Sequence, residues 1–378
     1  LTSPLADEKE ETAKKDKDVN VEGRILQKYE EFLEIITSDA DVMLSVDAES
    51  HGFINKIENL PILKNREVEA DVRFEIFIKK LIAHTRDNIT AGDGAKNMIS
   101  QCTQTTMFLV TGLRSMIEHK WGMLMEERNV SGGAEEDMRS KDMIQALDVC
   151  GVTTLCVDLL NVGIDEDLQV DVLKLGIALL LKDGGATNIQ ATLHAHFTKT
   201  NASLFFAQAR SSIQTLIQWH TWQGAVVLNP SDSVTLPDSI LWIRYLQLMC
   251  VGHYKDNQDI LRDQSMGQSV NLLDDMILYL NCLSRMPCRT STKAALAVSS
   301  LIREVLEGPC EKNQSHMVLN TEIIETLNRI MRSKPVKDCI YEEELALKRG
   351  CIDIFQALLE GQPLSSVVYE RVLSVIHL

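Results

Sequence analysis

Few pairs of residues in this chain could act in catalysis or metal binding, and the spacing of these pairs does not match a familiar metal site. His194 and His196 stand two residues apart, and residues at i and i+2 of a helix point to different faces. Cys282 and Cys288 are six residues apart around Pro287, which fits no common zinc pattern and favours buried apolar thiols. We therefore expect no metal at either pair.

Neighbouring carboxylates occur at Asp274-Asp275 and at Glu342-Glu343-Glu344 and could in principle exchange protons with a substrate. Adjacent residues of a helix point in different directions, and clustered acids are usually solvated surface. The sequence has neither a Gly-x-Ser-x-Gly nucleophile elbow nor a glycine-rich phosphate loop followed by Lys and Ser or Thr. These features predict that the chain is not an enzyme.

Two further groups have a structural and a functional interpretation. Gly184-Gly185 follows an apolar helical stripe, where a residue with positive φ would end the helix, and this favours a helix cap over a ligand loop. Trp219, His220 and Trp222 lie beside a predicted linker, and such a cluster favours core packing or a partner contact over a cofactor site.

Composition narrows the class of protein. The net charge of −16 and the pI of about 5.1 disfavour nucleic acid as a partner. Nine cysteines are scattered singly, which suits a reducing cytosol. No run reaches the ~18 apolar residues of a membrane span, so we expect a soluble segment. The chain begins with Leu1 and ends within an apolar pattern, and we interpret it as a piece of a longer protein.

The elements that must position these residues are helices. Apolar residues recur at helical spacing, and no comparable run alternates as a strand would. The stripes are Phe74/Phe77/Ile78/Leu81/Ile82, Leu109/Leu113/Met116/Ile117, Leu173/Ile177/Leu180/Leu181, Ala294/Val298/Leu301/Ile302/Val305, Ile323/Leu327/Ile330/Met331 and Cys351/Ile354/Phe355/Leu358/Leu359. Helices joined by short links without sustained heptads predict an all-α, irregular armadillo-like solenoid, although no strict sequence period is visible.

Polar and Gly/Pro-rich breaks divide the chain. We predict a disordered tail at 1–20 and a helical solenoid segment at 21–125. A linker at 126–142 and a second one at 223–238 then flank a helical domain at 143–222, and a further helical domain occupies 239–378.

Four stretches in this order resemble the cytosolic region of inositol trisphosphate and ryanodine receptors, which holds a homology domain shared by both and its associated domain. They are Leu179 to Gln190, Leu246 to His253 continuing from Asn257 to Arg262, Glu307 to Gln314, and Phe355 to Gly361. The resemblance runs with gaps from about residue 74 to the C-terminus. It implies that 143–222 is part of the homology domain and that 239–378 is the associated domain.

Some of these motifs are similar to one branch of the family and others suit both branches. Phe77 to Thr85, and Gly184-Gly185 with Ile189-Gln190, are similar to the inositol trisphosphate receptor branch, which we favour. Gly308-Pro309-Cys310 and the Leu358 to Gly361 ending suit the ryanodine branch as well. In this family the channel is a homotetramer in the endoplasmic reticulum membrane, and the region is the last armadillo-like solenoid before the pore. There it contacts other domains and subunits of the channel on the cytosolic face of the membrane.

The resemblance also implies a regulatory calcium site. The family places one glutamate directly after the motif's Cys and another four residues before the Gly of Gly-Pro-Cys. The second position is Glu304, but the first is Val251, whose side chain has no oxygen for Ca²⁺. Asp256 or Asp259 could substitute for it. Alternatively, Glu304 simply sits on a charged helix face.

The sequence thus predicts a coupling and regulatory segment of a calcium-release channel, which reaches the membrane only through parts outside this chain. The alternatives are a free-standing armadillo-like scaffold without a pore, and the equivalent segment of a ryanodine receptor. A helical enzyme with an unrecognised site is a third reading that the absence of convergent catalytic groups disfavours.

Overall fold

The computed structural model describes residues 79, 82, 83, 85, 86, 144–181, 185–226, 236–265, 267–335 and 339–376. In this part of the chain all regular structure is helical and there is no strand, which confirms the predicted all-α class. The predicted tail at 1–20, the linker at 126–142 and nearly all of the 21–125 segment lie outside the described residues. The stripes that begin at Phe74 and Leu109 lie there too, apart from Ile82.

Twelve helices follow residues 144–150, which are also helical. Their bounds are α1 Val152–Leu160, α2 Glu166–Leu180, α3 Thr187–Lys199, α4 Ser203–Val226, α5 Ile240–Cys250, α6 Lys255–Ile260, α7 Leu272–Arg285, α8 Arg289–Glu304, α9 Glu311–Asn320, α10 Ile323–Arg332, α11 Tyr341–Leu359 and α12 Val367–Ile376.

The helices stack in three rows, and each helix packs on the next member of its row. The first row contains α2, α5, α8 and α11, the second contains α3, α6, α9 and α12, and the third contains α4, α7 and α10. One helix from each row makes a repeat, so the described part of the chain is a solenoid-like stack in which the same packing recurs.

Local sequence explains where these helices begin and which face they bury. Asp165 caps α2 by accepting a hydrogen bond from the Leu168 N–H at 3.0 Å. Cys288 caps α8, where its thiol sulfur accepts from the Ser291 N–H at 3.4 Å. In α10 the apolar residues are buried on one side, and burying each Leu or Ile contributes about 1.5–3 kcal/mol.

One continuous hydrophobic core runs through the described repeats. It contains residues from both sides of the predicted linker at 223–238. Helix α4 continues to Val226, so the first residues of that linker are helical, while 227–235 lie outside the described residues. The ring of Phe205 in α4 meets the ring of Trp242 in α5 edge to face, with centroids 5.2 Å apart. The helices on either side of the linker therefore pack as neighbours.

None of the helices in the described ranges is both long enough and apolar enough to cross a membrane.

Candidate functional site: an amide ladder between repeats

The turns between first-row and second-row helices share one backbone feature. Each contains a glycine with positive φ, namely Gly185 at 94°, Gly252 at 80°, Gly308 at 97° and Gly361 at 70°. The sequence prediction that Gly185 takes a positive φ is confirmed, whereas Gly184 lies outside the described residues. Because this conformation strains residues that have a Cβ, the four turns depend on glycine.

A buried glutamine follows three of these glycines. Gln190, Gln258 and Gln314 each occupy the fourth position of their second-row helix and are at most 1% exposed. Each Nε2 donates to two backbone carbonyls at the end of the first-row helix of the next repeat. The acceptors are Leu248 (3.0 Å) and Val251 (2.7 Å), Glu304 (2.7 Å) and Glu307 (2.8 Å), and Ala357 (2.7 Å) and Glu360 (2.9 Å).

The accepting carbonyls belong to equivalent residues in each repeat. In every case they stand four and one positions before the next glycine with positive φ. Carbonyls in the last turn of a helix have no partner within the helix, so the glutamine supplies a hydrogen bond that the backbone itself does not provide. The three glutamines therefore do the same structural task, each one repeat further along.

A buried asparagine precedes two of the glutamines and completes the linkage. The Nδ2 of Asn257 donates to the backbone carbonyls of Gln190 (3.2 Å) and Met249 (3.0 Å). The Nδ2 of Asn313 likewise donates to Gln258 (3.0 Å) and Val305 (2.9 Å). We call Gln190, Asn257, Gln258, Asn313 and Gln314 the amide ladder, because their side chains connect successive repeats.

The two asparagines differ in the hydrogen bonding of their side-chain oxygen, Oδ1. The Oδ1 of Asn313 accepts a hydrogen bond from Arg262, whose guanidinium also binds Asp259 at 2.7 Å. The Oδ1 of Asn257 is buried and has no hydrogen-bond partner in the structure. Ile189 takes the corresponding position in α3 and is buried as an apolar residue. The ladder is thus most completely bonded at Asn313.

The glycine turns also touch each other from repeat to repeat. A Cβ added to Gly185 would lie 2.4 Å from the carbonyl oxygen of Val251, and one added to Gly308 would lie 2.6 Å from the Cβ of His253. A Cβ on Gly361 would lie 2.9 Å from Cγ of Pro309. These approaches leave no room for a side chain, so each turn rests directly on the next.

The predicted calcium ligand Glu304 is the last residue of α8 and is only 6% exposed, so it does not sit on a solvated helix face. Its carboxylate binds Nη2 of Arg303 at 2.9 Å, and Arg303 also approaches Glu307 at 3.4 Å and Asp353 at 4.0 Å. Burial raises the pKa of Glu307, with Arg303 acting in the opposite direction. Arg303 is thus shared by three carboxylates, and the carboxylate of Glu304 already has a cationic partner.

The second family position, Val251, contributes a backbone carbonyl that accepts from Gln190 at 2.7 Å. Across the described ranges no group of three or more His, Cys, Asp or Glu side chains is arranged to hold a metal ion. Ca²⁺ takes six to eight oxygen ligands, and the side chain of Val251 supplies none of them. The calcium site stays a prediction from resemblance.

His196 and Cys288, two of the residues considered for metal binding, have other contacts. His196 lies 2.7 Å from Asp158, which also forms an ion pair with Arg86 at 3.0 Å, so these contacts link three helical segments. Cys282 and Cys288 are half-buried rather than buried as expected, and Cys288 serves as the N-cap of α8. Neither arrangement resembles a metal centre.

The paired carboxylates point to different partners, as adjacent helical residues should. Asp275 is buried and binds Arg210 at 3.1 Å, and burial raises the pKa of its carboxyl. Asp274 instead faces His316 at 2.7 Å. Glu343 pairs with Lys293 at 3.9 Å. These acids hold helices together.

The aromatic cluster near the end of α4 is divided between core and surface. His220 is 4% exposed, and its Nδ1 lies 3.1 Å from the Leu216 carbonyl and 3.2 Å from the Tyr279 hydroxyl. Burial lowers the pKa of His220. Trp222 is 76% exposed. His220 thus packs in the core, and Trp222 is available for contact.

Residues 238–331 match the protein family described as RyR and IP3R Homology associated. The match covers about a quarter of the chain and includes α5 to α10 with the ladder residues Asn257, Gln258, Asn313 and Gln314. It supports the resemblance to the receptor family without distinguishing its two branches. Residues 238–331 are therefore similar to the associated domain of that family.

Proposed function

We propose that this chain is a cytosolic regulatory and coupling segment of a tetrameric intracellular calcium-release channel, resembling an inositol trisphosphate receptor, that relays ligand-driven motion to the pore. The match of residues 238–331 to the associated domain of these receptors carries the proposal. The parent protein would then lie in the endoplasmic reticulum membrane, and the partners of this segment would be other domains and subunits of the same channel.

The amide ladder supports a coupling role on physical grounds. Each glutamine bonds two carbonyls of the next repeat, so displacing one repeat against another breaks buried hydrogen bonds and leaves polar groups unpaired. Repeats linked in this way move together as a semi-rigid body, which is what a relay requires. We propose that the chain works through these contacts and has no catalytic turnover of its own.

The proposal is tested in microsomes that carry the full-length protein containing this chain. Calcium release evoked by inositol trisphosphate supports the favoured branch, and release evoked by ryanodine alone assigns the chain to the other branch. The absence of calcium release with either ligand would contradict the channel and favour a free-standing armadillo-like scaffold.

A matched pair of variants separates coupling from ligand binding. Gln258→Met keeps the side-chain length but removes the donor to Glu304 and Glu307, and we expect weaker calcium release at unchanged ligand affinity. Gln218→Met makes the same change at an exposed position of α4 and should behave as wild type. Equal release from both variants would argue against a relay through the ladder.

A further inference from the structure

A short helical segment upstream of α1 is packed onto the first described repeat. Ile82 and Thr85 are 2% and 3% exposed, whereas Ala83 between them is exposed. Ile82 belongs to the same hydrophobic core as residues of α1 and α3. Positions i, i+3 and i+4 of a helix share one face, so Ile82, Thr85 and Arg86 lie on the face that meets the stack. We call Ile82, Ala83, Thr85 and Arg86 the upstream segment.

The side chain of Arg86 lies along one side of α1. Its Nε donates to Oδ2 of Asp158 at 3.0 Å, and its Nη2 donates to the hydroxyl of Thr154 at 2.6 Å. A Cβ added to Gly151, the residue before α1, would lie 3.8 Å from Nη1 of Arg86. Positions 151, 154 and 158 are three and four residues apart and share one face of the helix. One guanidinium therefore holds the upstream segment along the first turns of α1.

The carboxylate of Asp158 is shared with the second row of helices. Its Oδ1 lies 2.7 Å from Nε2 of His196 on α3, while its Oδ2 accepts from Arg86. Two helices from different parts of the chain thus hold the two oxygens, which fixes the orientation of the carboxylate. Hydrogen bonds to an ionised group are stronger than those between neutral groups, so loss of this one charge weakens both contacts.

Helix α3 also carries the first glutamine of the amide ladder. Gln190 lies six positions before His196 and donates to two backbone carbonyls of the next repeat. Polar contacts therefore lead from Arg86 through Asp158 and His196 to α3, and from Gln190 on α3 to the end of α5. Arg86 and Asp158 are 72 positions apart in the sequence, so the upstream segment meets the stack here through tertiary contact. Contiguous packed contacts of this kind can carry coupling between distant parts of a protein.

We propose that Asp158 is a positioning residue of the relay. It holds the upstream segment on α1 and passes a displacement of that segment through His196 to α3 and the amide ladder. The attachment of the segment follows from the fold alone, whereas the relay step rests on the proposed channel function. Separate measurements test the two steps.

Hydrogen exchange of the purified chain, followed by mass spectrometry, tests the attachment. Asp158→Asn removes the charge that Arg86 and His196 contact and keeps the shape of the side chain. We expect peptides that contain the upstream segment to exchange at least about threefold faster than in wild type, because a partly exposed ion pair contributes modestly to stability. Asp238→Asn removes an exposed carboxylate in the turn before α5 and should exchange as wild type does. Unchanged exchange in Asp158→Asn would overturn the proposal.

A double-mutant cycle shows whether Arg86 and Asp158 act through one another. If they do, combining Arg86→Gln with Asp158→Asn should accelerate exchange by less than the product of the two single effects. Asp158→Glu keeps the carboxylate and should recover part of the protection that Asp158→Asn loses. Independent effects of the two substitutions, or exchange as fast in Asp158→Glu as in Asp158→Asn, would mean that Asp158 merely stabilises α1. Circular dichroism checks that each variant is folded.

Calcium release from microsomes that carry the full-length protein tests the relay step. We expect Asp158→Asn to weaken release at unchanged ligand affinity, and Asp238→Asn to behave as wild type. If Asp158→Asn releases calcium normally while Gln258→Met does not, Asp158 lies outside the relay and this proposal is overturned, although the channel function stands. If the wild-type protein releases no calcium, the channel function and the relay step both fail, and hydrogen exchange still decides whether Asp158 attaches the upstream segment.

Discussion

The side-chain nitrogen of Gln258 lies 2.7 Å from the backbone carbonyl oxygen of Glu304, although the two residues are 46 positions apart. The side chain of one repeat thereby completes the end of a helix in the next repeat. Gln190 and Gln314 form the same two bonds in the neighbouring repeats, so this contact recurs at equivalent positions of the stack.

Loss of one ladder glutamine should destabilise the chain. Gln258→Met leaves two buried carbonyls without their donor, and each unmade bond costs about 1–3 kcal/mol. We expect the free energy of unfolding in urea to fall by about 2–4 kcal/mol. Gln218→Met on the surface of α4 should change it by less than about 0.5 kcal/mol, and a similar loss in both variants would contradict the role of the ladder.

The two ladder asparagines should respond unequally to the same substitution. Asn313→Leu removes two donated bonds and also one of the two acceptors of Arg262, whereas the Oδ1 of Asn257 is already unpaired. We expect Asn313→Leu to lower the free energy of unfolding by about 1 kcal/mol more than Asn257→Leu. Urea denaturation of the two variants side by side measures the difference, and the reverse order would refute this account.

Alanine should have opposite effects at two glycines. Gly185 has φ 94° and its added Cβ would lie 2.4 Å from the Val251 carbonyl, so Gly185→Ala should lower the melting temperature. Gly350 lies inside α11, where an added Cβ would meet Ser299 at a comfortable 3.8 Å. Gly350→Ala should instead stabilise the helix by about 0.5–1 kcal/mol. Melting curves that shift in the same direction for both variants would count against this reading.

Burial of His220 should make stability depend on pH. Burial lowers the pKa of this imidazole in the folded state, so the unfolded state binds a proton more readily as pH falls below about 6.5. The stabilisation that neutral His220 contributes is therefore present above about pH 6.5 and is lost as the pH falls below that value. Between pH 7 and pH 5 we expect wild type to lose more of its free energy of unfolding than His220→Phe does. Urea denaturation of both proteins at pH 7 and at pH 5 measures the difference. Equal losses in the free energy of unfolding would contradict this prediction.

The calcium prediction is tested by calorimetry on the purified chain. Glu304 is bound to Arg303, and Val251 offers only its backbone carbonyl, so we expect no heat of Ca²⁺ binding at micromolar concentrations. Val251→Glu restores the second carboxylate of the family pattern and should give measurable, weak binding. Tight binding by the unmodified chain would show that other acids, such as Asp256 or Asp259, take its place.

The four stretches that carry the resemblance turn out to be related to one another. Each contains a glycine turn, and in three of them Ile-Gln or Asn-Gln occupies the third and fourth positions of the helix after the turn. Setting the stretches side by side would have revealed Gln190, Gln258 and Gln314 as equivalent residues. Sequence reasoning missed this because the glycines are separated by unequal distances, so the repeat has no fixed period.

Apolar spacing and glycine placement were enough to determine the helical class and the positive φ at Gly185, because both depend on contacts within a few residues along the chain. The sequence alone did not determine that Glu304 is buried against Arg303, or that Cys282 and Cys288 are only half-buried. Nor did it determine which carbonyls the ladder amides bind. These outcomes depend on which helix packs against which, and residues more than forty positions apart meet only once the repeats have stacked.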